Sequence, residues 1–167
     1  MINDLLTYAR VESRSRPFEP TNLNAVVDDV ITLLYAEIRD ADGEVTHGEL
    51  PTVMGDESQL SQLLQNLIGN GLKYHGDAPP QVFIAAESNG IEWTISVRDN
   101  GIGIDEKHYE KIFEIFRRLH GQDKYPGTGI GLAVCRRIVN RHGGRIWLES
   151  EPGKGTTFYF TIPLSSK

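Results

Sequence analysis

Apolar residues recur at helical spacing in four stretches of the chain and alternate with polar ones in two more. In residues 2–11, Ile2, Leu5, Leu6 and Ala9 share one stripe. That piece is shorter than the ~12–15 residues an isolated helix needs, and Pro17 and Pro20 cut it off, so it reads as the tail of a longer helix. Beyond Pro20, Thr21 or Asn22 caps a helix running to about Arg39, with Val26, Val27, Val30, Ile31 and Leu34 inward and an Asp42-Gly43 turn after it. Two short strands at residues 44–46 and 52–54 follow. A helix then opens at Asp56 or Ser58 and runs to Tyr74, its apolar face made by Leu60, Leu63, Leu64, Leu67, Ile68 and Leu72. Gly76, Pro79 and Pro80 stop it. Val82 and Ile84 alternate in residues 81–87 as Ile95 and Val97 do in 91–99, and Asn89-Gly90 joins them as a hairpin. A helix over 131–142 and a second hairpin, 145–151 with 156–163 around Pro152-Gly-Lys-Gly155, complete the pattern. Residues 104–126 are polar and too long for a simple connector, which predicts a mobile lid over a ligand. Two antiparallel hairpins interspersed with helices predict an α+β fold, a mixed sheet covered on one face by helices.

Composition narrows the function classes. At 167 residues the chain suffices for one domain with a sizeable core. A net charge of −6 argues against a broad nucleic-acid-binding face. Cys135 is the single cysteine, which excludes an internal disulfide and leaves no zinc cluster; it reads as a small core residue on the apolar side of its helix. No run has the length of a membrane span, and the first residues lack a basic, apolar leader. The expectation is a soluble chain in a reducing, cytoplasmic compartment, without membrane contact of its own.

Candidate chemistry gathers around two glycine clusters, Asp99-Asn-Gly-Ile-Gly103 and Gly127-Thr-Gly-Ile-Gly131. Glycine at alternate positions lets backbone N–H groups approach an anion, and a helix starting immediately afterwards strengthens the attraction. The second cluster leads into the helix beginning at Leu132, so a polyphosphate is expected there. Neither cluster has the spacing of a dinucleotide fingerprint or a calcium loop. On the 58–74 helix, Asn66, Asn70, Lys73 and Tyr74 lie three and four residues apart and line one polar face. Mg²⁺ with triphosphate oxygens would satisfy those amides, Asn supplying a neutral oxygen ligand and Lys73 charge neutralisation. Loop capping or plain exposure accounts for the two asparagines equally well. Asp99 offers a carboxylate to an exocyclic amine such as adenine N6, although Asp-Asn-Gly is also a common turn. Ile112, Phe113, Ile115 and Phe116 anchor the lid, and Arg117, Arg118 and Lys124 place cations in it, where solvated charges are the plainer reading.

In order and spacing, Asn66-Leu-Ile-Gly-Asn70-Gly-Leu-Lys73-Tyr74, Asp99-Asn-Gly-Ile-Gly103, Ile112-Phe-Glu-Ile-Phe116 and Gly127-Thr-Gly-Ile-Gly131-Leu132 closely resemble the N, first glycine, F and second glycine boxes of sensor histidine kinases. The resemblance covers residues 21–164. Residues 1–16 look like the end of the second helix of a dimerisation and phosphoacceptor domain plus its linker, and 17–167 like a catalytic ATP-binding domain with a lid at about 104–127. The stretch from Tyr125 to Phe160 is similar to phytochrome-related and PAS-linked kinases. The resemblance implies the Bergerat-type two-layer α/β sandwich shared with gyrase, a heat-shock chaperone family and mismatch-repair ATPases, its mixed sheet mostly antiparallel.

It also implies roles. Asn70 is the magnesium ligand, Asn66 orients phosphate or metal-bound water, Lys73 approaches phosphate, and Tyr74 packs near the nucleotide. Asp99 hydrogen-bonds adenine while Gly101 and Gly103 admit the base. Gly127, Thr128, Gly129 and Gly131, with Leu132 following and Arg117 in the lid, hold the phosphates of ATP. In the ATPase relatives a glutamate occupies the place of Asn66 and activates water; an asparagine cannot act as that base, which favours transfer to a positioned histidine. The family's phosphoacceptor histidine, expected early in an upstream helix, matches none of His47, His75, His108, His120 and His142, whose expected roles are surface or capping. The expectation is therefore a kinase catalytic fragment whose partners are a histidine-containing phosphoacceptor domain, elsewhere in the same protein, and a response regulator. A nucleotide-binding regulatory module without transfer is the alternative. An ATPase of the gyrase type and a serine kinase stand further off, and the fragment alone is expected to be monomeric.

Overall fold

The computed structural model describes residues 17–109, 113 and 131–164. The predicted helix at 2–11 and the assignment of residues 1–16 as a linker remnant lie outside them, as does most of the predicted lid.

The first element among the described residues is β1 (Glu19–Asn22), which pairs antiparallel with β3 (Thr52–Gly55) in a separate two-stranded ribbon. The sequence reading contained no β1. Four residues carrying Pro20 show no alternation, and proline is tolerated only because β1 is an edge strand. Asn22 then caps α1 (Leu23–Leu33), its side chain accepting from the Asn24 N–H at 2.9 Å. The single helix expected to Arg39 is divided: α2 (Tyr35–Asp40) follows after Leu34. Leu34 and Ile38 still donate to the carbonyls of Val30 and Leu34, so the break is a bend. Its cause is burial: Leu23, Val26, Val27, Val30 and Leu34 sit in the core, whereas α2 buries no residue. Asp42 turns the chain with φ of 55°, leading into β2 (Glu44–His47).

The helix predicted from Asp56 is α3 (Glu57–Lys73), capped by Asp56, which accepts from the Ser58 and Gln59 N–H groups. Both hairpins form where the alternation placed them, β4 (Gln81–Ser88) with β5 (Glu92–Asp99) and β6 (Ile146–Glu151) with β7 (Gly155–Pro163). The main sheet is open and runs β2-β4-β5-β7-β6, every pairing antiparallel except β2 with β4. Helix α4 (Gly131–Arg141) packs against α3 and the β6/β7 end, while α3 crosses β4 and β5. Val82, Ile84, Ile95, Val97, Leu148, Phe158 and Phe160 form the sheet's side of one core with the leucines of α3 and with Val134, Cys135 and Ile138 of α4. The other sheet face bears Phe83, 45 % exposed, and a Trp147–Tyr159 stack. The predicted α+β sandwich with a mostly antiparallel sheet and helices on one face is what forms.

Candidate functional site

Helix α3 presents its polar stripe beside the ends of β5 and α4. Asn66 and Asn70 are half-buried, Lys73 is exposed, and Tyr74, the C-cap, is half-buried. The Lys73 ammonium lies 5.9 Å from the centre of the Tyr74 ring. Asn66 is tethered: Gln62 Nε2, one turn earlier, donates to its Oδ1 at 3.2 Å, and its amide also hydrogen-bonds the Cys135 thiol of α4. The side-chain amide of Asn70 makes no hydrogen bond among the described residues. A half-buried amide with its capacity unused is poised for an outside partner.

Asp99 closes β5 against the flank of α3. The approach is close because position 71 lacks a side chain: a Cβ on Gly71 would sit 2.8 Å from Val82 Cγ2 and 3.1 Å from Asp99 Cβ. Asp99 Oδ1 accepts from the Gly101 N–H at 2.8 Å and from the Thr156 N–H at 3.2 Å. Both bonds end on Oδ1, so Oδ2 has no partner among the described residues. Burial raises the carboxyl pKa above its usual value, against the lowering effect of the two N–H donors. A second donor at Oδ2 would relieve that cost.

The first glycine cluster folds back onto the end of α3. The Ile102 N–H donates to the Tyr74 carbonyl at 3.0 Å, and a Cβ on Gly101 would collide with that same carbonyl oxygen. Gly103 has φ of 78°, and its alpha carbon faces the Glu151 carbonyl so closely that no side chain fits. Beyond it, residues 104–109, the start of the predicted lid, are tied to β6. The Ile104 N–H donates to Ser150 Oγ at 2.7 Å, and the Tyr109 hydroxyl accepts from the Ser150 N–H and donates to the Ser150 carbonyl. Phe113 is buried edge-on against Phe158, with the Arg136 guanidinium over its ring at 4.6 Å. That is the apolar anchor its spacing implied. Of the second cluster, Gly131 begins α4 and Leu132 is half-buried against the core. Arg117, Gly127, Thr128 and Gly129 lie outside the described residues, as do Phe116, Arg118 and Lys124.

Sequence comparison bears on this arrangement directly. Residues 55–166 match the family described as histidine kinase-, DNA gyrase B- and HSP90-like ATPase. The chain belongs to this family. It is 46 % identical to the phytochrome-like protein Cph1 of Synechocystis sp., over 99 % of this chain and 22 % of that relative. The chain thus spans about a fifth of the length of the curated relatives it matches. Among solved structures, the catalytic domain of histidine kinase ThkA superposes with a TM-score of 0.76 at 31 % identity, covering 90 % of this chain and all of that one. Full-length ShkA in complex with AMPPNP gives 0.83 at 28 % identity, over 99 % of this chain and 35 % of that one. These likenesses make it a histidine kinase-type catalytic domain, homologous to those of sensor kinases.

Sequence reasoning missed several residues that build this histidine kinase-type site. Thr156 holds Asp99, and its hydroxyl meets Ser150 Oγ at 2.7 Å; the Gly-Lys-Gly turn just before it carried the signal but was read only as a hairpin. Gly71 looked like an ordinary helix residue, and only the β5 crossing explains it. For His142 a surface or capping role was expected; it does cap, but from a buried position, 5 % exposed. Its Nε2 accepts from the Asp56 N–H at 3.1 Å while Nδ1–H donates to the Ile138 carbonyl at 2.8 Å, so it is a buried, neutral cap at the start of α3. Among the described residues no helix is long and apolar enough to cross a membrane.

Proposed function

We propose that the chain binds Mg·ATP in the angle between the polar stripe of α3, the Asp99 loop and the start of α4. In this reading it hands the γ-phosphoryl group to a histidine on a phosphoacceptor domain, with a response regulator next in the relay. Asp99 carries the argument. Its carboxylate is held by two backbone N–H groups on one oxygen, is made costly by burial, and has no partner for its other oxygen among the described residues. An adenine exocyclic amine would be one, and the exclusion of a Cβ at Gly101 leaves the base room against backbone.

The donor set fits magnesium as well. Asn70 offers an amide oxygen that has no partner among the described residues, beside Asn66, and neutral oxygen ligands supplemented by phosphate are what Mg²⁺ takes from proteins. When bound, the ion would neutralise charge on the phosphates. Lys73 would add a cation from the last turn of α3, and Gly127, Thr128, Gly129 and Gly131 would meet the phosphates with backbone N–H groups ahead of α4, with Leu132 behind them and Arg117 reaching in from the lid. Asn66 has no basic atom, so the site orients an acceptor and does not deprotonate water. The attacking imidazole must arrive on another domain, in line with the bond that breaks.

Two relatives support the wider context in their own names: ShkA was captured with AMPPNP, and ThkA in complex with response regulator protein TrrA. The test is calorimetric titration of a non-hydrolysable ATP analogue, with and without Mg²⁺, into this chain and into Asp99→Asn. Binding that strengthens with Mg²⁺ and is lost in the variant is expected. Labelled ATP should then mark a phosphoacceptor domain supplied in trans and leave this chain unlabelled. Acid-labile phosphate on one of the chain's own histidines would overturn the second part, and binding without transfer would favour a regulatory module.

A further inference from the structure

Ser150 sits where three segments meet, and its hydroxyl is used to full capacity. A serine hydroxyl has one hydrogen to donate and two lone pairs to accept with. Ser150 Oγ accepts from the Ile104 N–H at 2.7 Å and donates to the Gly155 carbonyl at 2.8 Å. Its contact with Thr156 Oγ1 at 2.7 Å is then filled by the threonine's hydrogen. Ser150 and Thr156 are cross-strand partners in the β6/β7 register, so the grip comes with the pairing itself.

What that grip controls is one peptide plane. The Gly155 carbonyl and the Thr156 N–H belong to the same planar unit. Ser150 holds the carbonyl side, and the N–H side donates to Asp99 Oδ1 at 3.2 Å. A bond to the carbonyl also polarises the amide and strengthens its N–H as a donor. Gly155, with φ of 96°, is pressed against the Asp99 carbonyl so closely that no side chain fits. Ser150 is itself held from residues 104–109, by the Ile104 N–H and by the Tyr109 hydroxyl, which accepts from the Ser150 N–H at 2.7 Å and donates to the Ser150 carbonyl. We infer that Ser150 is a positioning residue for base recognition: it aims Asp99 at the exocyclic amine of an adenine-type base, and Tyr109 makes that aim depend on the seating of residues 104–109. This rests on the Mg·ATP reading above, with Asp99 as the contact to the base.

Two measurements on the intact chain test it, and the first needs no nucleotide. The carboxyl carbon of Asp99, identified by its loss in Asp99→Asn, is followed by carbon NMR as pH is varied. Loosening the Thr156 N–H weakens a bond that lowers the Asp99 pKa, so the midpoint should move further up in Ser150→Ala and, less far, in Tyr109→Phe. The second is calorimetry with Mg²⁺ and two non-hydrolysable analogues, one of ATP and one of inosine triphosphate, whose base has an oxygen in place of the amine. The parent should bind the ATP analogue more tightly. Ser150→Ala should lose about fivefold in affinity for it, while the inosine analogue stays within about twofold. Unmoved midpoints in both variants, or equal losses for the two analogues, would mark a packing role and overturn the inference. If the parent binds neither analogue, or both alike, the reading of Asp99 as the base contact falls and this inference with it. If the parent prefers adenine and both variants keep that preference, only the positioning role falls.

Discussion

The two ends of α3 are built from similar polar residues and differ in how much of their hydrogen-bonding capacity the fold consumes. At the start, Asp56 is 1 % exposed. It accepts from the Ser58 and Gln59 N–H groups and from the Ser58 hydroxyl, and pairs with Arg141 at 3.2 Å, while its own N–H goes to His142. Phe18 stacks on His142 at 4.5 Å with the Arg141 guanidinium 4.5 Å from its centre, sealing the cluster where the described chain begins. Towards the other end, Asp99 keeps one carboxylate oxygen and Asn70 its whole amide unengaged among the described residues. Satisfied polar groups fasten a fold; surplus capacity in a half-buried setting is what a ligand uses.

The contrast predicts that damage at the two ends separates stability from binding. Asp56→Ala deletes a helix cap and removes the carboxylate that pairs with Arg141, leaving that guanidinium its bond to Gln59 at 2.7 Å, so it should cost about 2 kcal/mol, read as the drop in denaturant midpoint, with the affinity of the remaining folded protein for the ATP analogue unchanged. Asp99→Asn should do the reverse. Nucleotide affinity falls at least about tenfold, or ~1.4 kcal/mol, because an amide N–H would face the donor, while the midpoint holds or rises as a costly buried charge disappears. A stability loss in Asp99→Asn comparable with that of Asp56→Ala would erase the distinction.

Acid should sharpen it further. Burial, reinforced by the Arg141 charge, lowers the His142 pKa below 6.5 against the raising effect of the Ile138 carbonyl. The folded state then binds fewer protons than the unfolded one, and stability declines as pH falls through about 6.5. Asp99 has the opposite sign: its raised pKa lets the folded state take up a proton first, so acid adds stability there while removing the acceptor that binding needs. Denaturant midpoints from pH 7.5 to 5.5 should slope less in His142→Gln, whose amide oxygen still accepts from Asp56. Smallest of all, Phe18→Leu should cost about 1 kcal/mol of melting stability through the lost stack.

Much of this was legible from residue pattern. Val82/Ile84 and Ile95/Val97 gave both the hairpin and its buried face, and Asp56 gave the cap of α3. The spacing of Asn66, Asn70, Lys73 and Tyr74 gave the polar stripe. What stayed hidden depends on neighbours distant in sequence. Pro20 masked an edge strand that exists through pairing with β3, and Leu34 bends a helix because the core ends there. Thr156 is 57 residues from the carboxylate it holds. Cys135 was rightly read as a small buried side chain, yet its sulfur also meets Asn66 across two helices.

The register between β5 and β7 has a consequence for chain entropy. Arg98 pairs with Thr157 and Val97 with Phe158 at the centre of the sheet, so everything between Asp99 and Gly155 is an excursion from one closed seam. Closing such an excursion costs free energy that grows only with the logarithm of its length, about 0.6 kcal/mol for each doubling. The pairing of β5 with β7 therefore tolerates added length in that excursion at little entropic cost, provided the ties of Ile104 and Tyr109 to Ser150 and of Phe113 to Phe158 are kept.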